Sequence, residues 1–262
     1  MAANVTGGKR LLLRARPGWI GLDFQAGAKD RGARVLLEGE VWSQGGAMFV
    51  GHYAGALVAK AIEPRAPLWS YVLACQAMDI AWGGLIIAGV ETVSVDHSLP
   101  GSALVLSHMP YTHSLPAAAL WSVAVAVVLA LLLKLPKRAS LFIGLAVLSH
   151  WLLDFLVHRP DLPLLWSGPK VGLGLWDHAV LEQAVEMGLL AMAGAAWAWR
   201  RGQEGRGWVG AVGFLGFLLV LQIVPLLKPL AEDPVGLGSS AIATYLIVGL
   251  VAFFAEFRTR KA

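Results

Sequence analysis

The sequence predicts an all-α protein, a polytopic transmembrane helical bundle of about seven helices, on three observations. Apolar residues make up 57% of the 262-residue chain. Charged residues make up only 15%, against about 25% in an average soluble domain. The mean hydropathy is +0.64, and the apolar residues fall into runs close to the ~20 residues a helix needs to cross a bilayer.

The runs lie at about 48–62, 67–90, 114–135, 139–158, 178–199, 207–229 and 238–257. The first is short and holds His52 and Lys60, which predicts a tilted or partly inserted helix. Gly and Pro mark the breaks between runs, as in "EPRAP", "LPKR" and "RGQEGRG". Residues 1–47 differ: seven Lys and Arg face four Asp and Glu, with no apolar stretch of signal-peptide length. Because Met48 opens "MFVGHYAGALVAKAI", we expect residues 1–47 to be a poorly ordered extension or an over-called start, and 48–262 to be the membrane domain.

Loop charge tests the count independently. The 91–113 loop is acidic through Glu91 and Asp96, and the next turn is basic through Lys134, Lys137 and Arg138. The 159–177 loop is balanced. The loop with Arg200, Arg201 and Arg206 against Glu204 is basic, that with Lys228 against Glu232 and Asp233 is not, and the tail with Arg258, Arg260 and Lys261 is basic again. By the positive-inside rule the C-terminus and the basic loops are cytoplasmic. The basic clusters between apolar runs therefore read as cytoplasmic loops of an integral, multi-pass inner or cell membrane protein, and the net charge of +4 implies no nucleic-acid partner. The single cysteine, Cys75, allows no intramolecular disulfide. Most of the eleven tryptophans sit near run ends, as interface anchors do.

Against this apolar background the polar residues stand out. In "LSHWLLDFLVHRP", His150, Asp154 and His158 are four residues apart, on one face of a helix. Asp79 lies midway along the second run, and His52 near the outer end of the first. In "YTHSLP" His113 opens the third helix, with Thr112 or Ser114 as its cap and Pro116 in the first turn. The fifth begins at Asp177 and His178 and carries Glu182 and Glu186. All fall at the centre or in the outer half of the membrane on this topology. A charged group there costs roughly 2.5–3.5 kcal/mol even on lenient scales, so an intramembrane carboxylate points to function. Imidazole and carboxylate are the ligand set of zinc and its neighbours, and His-x3-Asp presents two ligands from adjacent turns. His97 and His108 read as solvated loop residues.

The order His52, Asp79, "THS" at 112–114 and "HWLLD" at 150–154 resembles the LexA-regulated, membrane-bound metal-dependent hydrolase family (the YdjM-like group), over about residues 48–160. The resemblance implies a metal site of His52, Asp79, His113, His150 and Asp154, with chemistry distantly like that of zinc-dependent phospholipases C. The chain departs from the pattern in two places: "SHMPYTHS" lacks the family's His-Arg before Thr-His-Ser, and "AMDIAW" offers Asp79 alone where a doubled acidic motif is usual. Both departures weigh against a second metal.

Two function classes follow. One is a hydrolase using a divalent metal, with Zn²⁺ foremost, on a lipid, lipid-linked or phosphoester substrate at the outer leaflet. Glu182, His158 or Asp161 would accept the proton of water, and Arg159 would hold an anionic head group. The other is a transporter or permease in which the same residues form an ion or proton path; the inner halves of the helices show no matching polar ladder. A purely structural polar cluster is a third reading. For the topology, a reporter enzyme active only outside the cytoplasm, fused after Ala262, should be silent; activity would reverse the orientation.

Overall fold

The computed structural model describes residues 11–15, 18–22, 50–227 and 231–256. The chain divides into two units, Met1–Val41 and Trp42–Ala262. In the first, strands β1 (Leu11–Ala15) and β2 (Gly18–Leu22) pair antiparallel, with Leu11 opposite Leu22 and Ala15 opposite Gly18. The rest of residues 1–47 lies outside the described residues, and with it the expectation of a poorly ordered extension.

The second unit is an all-α bundle. Its eight described helices are α1 (Tyr53–Ile62), α2 (Leu68–Cys75), α3 (Ala77–Ile87), α4 (Leu115–Leu133), α5 (Lys137–Val157), α6 (Ala179–Gln203), α7 (Val209–Leu227) and α8 (Pro234–Ala255). By length and composition α4, α5, α6 and α8 can each cross a membrane, and α2 with α3 can make a fifth, broken span. Every apolar run of the sequence carries a helix. The second carries two, bent by 48° at Gln76.

That break has a local cause and a consequence. Gln76 takes φ −107° and ψ 8°, outside the helical range, so the α2 ladder stops at Cys75. The Cys75 carbonyl then accepts a hydrogen bond from His150 Nδ1 on α5, at 2.8 Å. Restarting at Ala77 places Asp79 in the first turn of α3, where unpaired N–H groups and the helix dipole favour a carboxylate. At the start of α4, Ser114 is the cap: its Oγ accepts from the Ala117 N–H at 3.3 Å, with Pro116 in the first turn.

Helix α2 packs on α1, α5 and α8, while α4 packs on α5, α1 on α6 and α3 on α8. The core holds Tyr53, Leu57, Tyr71, Met78, Ile143 and Val147. The opposite surface is apolar too. Leu131 and Leu132 on α4 are 74% and 72% exposed, which suits contact with lipid chains and would be unfavourable in water. The loops are more ordered than their polarity suggests. Alternating apolar residues in "TVSV" and "LVLSH" form an antiparallel pair, β3 (Thr92–Val95) and β4 (Leu104–His108), in what the sequence shows only as a loop. Beyond α5, β5 (Leu162–Pro163) pairs with β6 (Lys170–Val171). The chain then folds back so that the Leu173 and Gly174 N–H groups donate to Phe155 O and His158 O at 2.9 and 2.7 Å. Only glycine fits at 172: its φ is +152°, and a Cβ would stand 2.2 Å from Arg159 O.

In lipid, helices approach through small residues. At the α3–α8 crossing a Cβ on Gly238 would lie 2.6 Å from Gly83 O, a backbone atom that cannot turn aside. Gly238→Ala should therefore cost about 1–3 kcal/mol, as overpacking does. Gly213→Ala, where a Cβ meets nothing within 4 Å, should be neutral or stabilise by up to about 1 kcal/mol through helix propensity. Unfolding of the two variants in detergent compares them directly; equal stability would show that α8 can move off α3.

Candidate metal centre

Four histidines and two aspartates converge where α1 begins, α3 and α4 begin and α5 ends. Asp154 is at the centre and buried. Its Oδ1 accepts from His52 Nε2 at 2.9 Å and lies 3.5 Å from His158 Nε2. Its Oδ2 lies 3.3 Å from His150 Nε2 and 3.6 Å from His113 Nε2. Asp79 Oδ1 faces the same two rings, 3.2 Å from His113 Nε2 and 3.3 Å from His150 Nε2. The ring centroids of His113 and His150 are 5.6 Å apart, and those of His52 and His150 4.2 Å.

The outer faces of these groups decide where their protons sit. Cys75 O can only accept, so His150 carries its proton on Nδ1. His113 is fixed by a longer chain. Buried Glu91 accepts the Tyr111 and Thr112 N–H groups at 2.8 and 3.1 Å, and the Thr112 hydroxyl donates its only proton to Glu91 Oε2 at 2.6 Å. Thr112 Oγ1 must then accept from His113 Nδ1, at 2.7 Å. Both rings thus turn an Nε2 lone pair inward, toward carboxylate oxygens that are acceptors as well. Tyr245, on α8, donates to Asp79 Oδ2 at 2.6 Å, which leaves Oδ1 facing the histidines.

Acceptors facing acceptors in a buried site require a positive charge between them, either an extra proton on each ring or one cation. His150 Nε2 and Asp154 Oδ2 are both buried without a hydrogen-bond partner. Two groups are positioned to coordinate a metal ion, His52 with His150 and Asp154, and Asp79 with His113 and His150, the ligand atoms of each lying within 4.8 Å of one another. Both rely on His150, which has one lone pair left. They are therefore alternatives, or one combined set, for a single ion. Ring nitrogens committed to a carbonyl or a hydroxyl, as here, are the usual support of metal-binding histidines.

The remaining sequence candidates divide. His158, just past α5, stays with the cluster: its Nδ1 donates to Asp161 Oδ1 at 2.9 Å, and its ring lies 4.1 Å from that of Trp176. Arg159 also lies by Trp176, donating from Nε to Asp177 at 2.8 Å and from Nη2 to Pro100 O at 2.6 Å, with Nη1 buried and without a partner. Among the described residues Glu182 makes no hydrogen bond or ion pair with this cluster. It accepts from Gln183 at 2.9 Å, beside Glu186, which accepts from Gln222 and from the Gly51 N–H at 2.7 Å each. Glu186 thereby braces the residue preceding His52. His178 is exposed and joins neither group.

Glu91, Cys75 and Tyr245 were not legible as site residues. Glu91 counts only as loop charge until the β3–β4 hairpin folds, Cys75 acts through its carbonyl, and Tyr245 sits 166 residues from Asp79 in sequence. Comparison of the chain with family models, curated proteins and solved structures finds no match.

Glu91→Gln makes the proton chain testable. An amide nitrogen at the Oε2 position donates to Thr112, whose hydroxyl proton then turns to His113 Nδ1 and moves the ring proton to Nε2. Solid-state ¹⁵N spectra of histidine-labelled protein should show one ring changing tautomer; an unchanged spectrum would show that Glu91 does not set it.

Proposed function

We propose that the protein is a membrane-embedded metal-dependent hydrolase acting on a phosphoester of a lipid or lipid-linked substrate, at the level of the outer leaflet. The observation that carries this reading is the convergence of two imidazole Nε2 atoms and two carboxylates in one buried cluster, with the Nδ1 of both rings committed outward. The motif-level resemblance to the YdjM-like hydrolases supports it. So do the four spans and the broken fifth, since broken helices in membranes commonly border ion sites.

His113, His150 and Asp154 would hold the cation, with His52 and Asp79 completing or bracing the set. A divalent ion such as Zn²⁺ supplies Lewis-acid polarisation of a phosphoryl oxygen and acidifies water near neutral pH. The chain supplies the rest. Glu91 through Thr112, and the Cys75 carbonyl, keep the imidazoles in the binding tautomer. His158, whose Nδ1–H donates to Asp161 and whose Nε2 lies 3.5 Å from Asp154, would exchange a proton with water. Arg159, whose Nη1 has no hydrogen-bond partner, would hold a phosphate oxygen. The buried Trp176 ring lies against both residues.

Elemental analysis of the detergent-purified full chain should find stoichiometric metal. Asp154→Asn, which keeps shape and removes charge, should weaken binding at least about tenfold. Hydrolysis of bis(p-nitrophenyl) phosphate should fall with it and with chelation. Metal-free wild type, or unchanged metal in Asp154→Asn, would overturn the reading. Asp154-dependent ion flux by metal-free protein in vesicles would put a transporter in its place.

A further inference from the structure

A second cluster of buried charge lies at the other end of the bundle. Lys60, at the end of α1, is only 4% exposed; its Nζ donates to Pro64 O and Ala66 O at 3.0 and 2.7 Å and pairs with Glu256 at 2.5 Å. Glu256, just past α8, also accepts the Leu68 N–H at the start of α2. From Tyr245 at the metal centre to Glu256 is about 16 Å along α8. Beside these groups is an open cleft of about 580 Å³, lined by Lys60, Arg65, Arg206 and Glu256 and flanked by the apolar Trp69 and Phe253.

The carboxylates here are shared. Glu63 serves Arg65 at 2.6 Å and Arg138 at 3.4 Å, and the Arg65 hydrogen bonds hold its carboxyl below the usual range. Glu204 serves Arg200 at 3.2 Å and Arg206 at 3.3 Å. Glu256 serves Lys60 closely and Arg206 at only 3.5 Å. Among the described residues three carboxylates thus answer five cations, of which Lys60, Arg65 and Arg206 line the cleft. Arg201, with Arg206, Glu204 and Glu256 as its charged surroundings, adds a sixth. It is 4% exposed, and its Nη1 has no hydrogen-bond partner.

We infer that this cleft binds the phosphate of an anionic phospholipid, with Arg65 and Arg206 gripping the head group and Trp69 and Phe253 flanking its acyl chains. The cation excess calls for an anion. The Glu256 carboxylate at the α2 N-terminus already shows that the local field accepts one. The lipid source is favoured over free phosphate because apolar side chains rim the cleft on a bundle whose outer surface is itself apolar. Basic pockets between membrane helices bind anionic head groups, and a Lys or Arg near an anionic membrane surface contributes about 1 kcal/mol, or about fivefold in affinity.

The test uses the full chain in nanodiscs of phosphatidylcholine with a minor fraction of phosphatidylglycerol, followed by native mass spectrometry of the lipid retained. Wild type should retain phosphatidylglycerol selectively. Arg65→Gln and Arg206→Gln should each lower retention about fivefold and together about 25-fold. Arg65 has a side chain 53% exposed, so its loss leaves the core intact. Glu204→Gln, which releases Arg206, should raise retention; a merely structural ion-pair network predicts no gain. Equal retention of the two lipids, an unaffected double variant, or no gain in Glu204→Gln would overturn the inference. Inorganic phosphate binding as tightly as the lipid in detergent would show a soluble-anion site and overturn it as well.

Discussion

Asp154 cannot be solvated by water in the place it occupies, and the need to surround it with imidazoles and a compensating positive charge is the constraint on which the bundle's interior depends. Its partners come from the start of α1, the approach to α4 and both ends of its own last two turns. Each must arrive at a set height and with a set ring orientation. An uncompensated buried carboxylate costs several kcal/mol, so the packing that brings these rings together cannot drift without penalty. The supporting features follow from this: the brace on Gly51, the Glu91–Thr112 chain, and the break that exposes the Cys75 carbonyl.

The break at Gln76 illustrates how an apparent defect serves the site. A continuous second span would use the Cys75 carbonyl internally and bury Asp79 in mid-helix. Interrupting it gives His150 an acceptor and gives Asp79 a helix N-terminus, so one irregularity orients a ligand from each of two helices. Within a membrane, non-helical backbone is tolerated only where protein supplies the missing hydrogen bonds. Here a histidine does so.

The two ends of the bundle solve opposite electrostatic problems. At the metal centre, acceptors converge and a cation is wanted; around Lys60 and Arg206, cations outnumber carboxylates and an anion is wanted. Tight helix contacts, such as Gly83 against Gly238, keep both ends in one rigid frame while the lipid-facing surfaces of α4 and its neighbours stay apolar.

The run lengths, the low charge and the isolated intramembrane His and Asp residues by themselves determined the all-α membrane class, the place of each apolar run and the core ligand candidates. These signals are local: a helix needs only neighbouring residues to be apolar, and a buried charge is conspicuous wherever it occurs. His-x3-Asp at 150–154 was legible because helical geometry alone puts both on one face. The broken span, the hairpin that carries Glu91, the reach of Tyr245 across the bundle and the assembly of Lys60 with Glu256 were decided only by the tertiary structure. Each depends on which helices meet and at what height. Glu186 and His158 show the difference: both are polar residues at the rim of apolar runs, yet one pairs with Gln222 of α7 and the other lies against Asp154, because packing and not residue type chooses the partner.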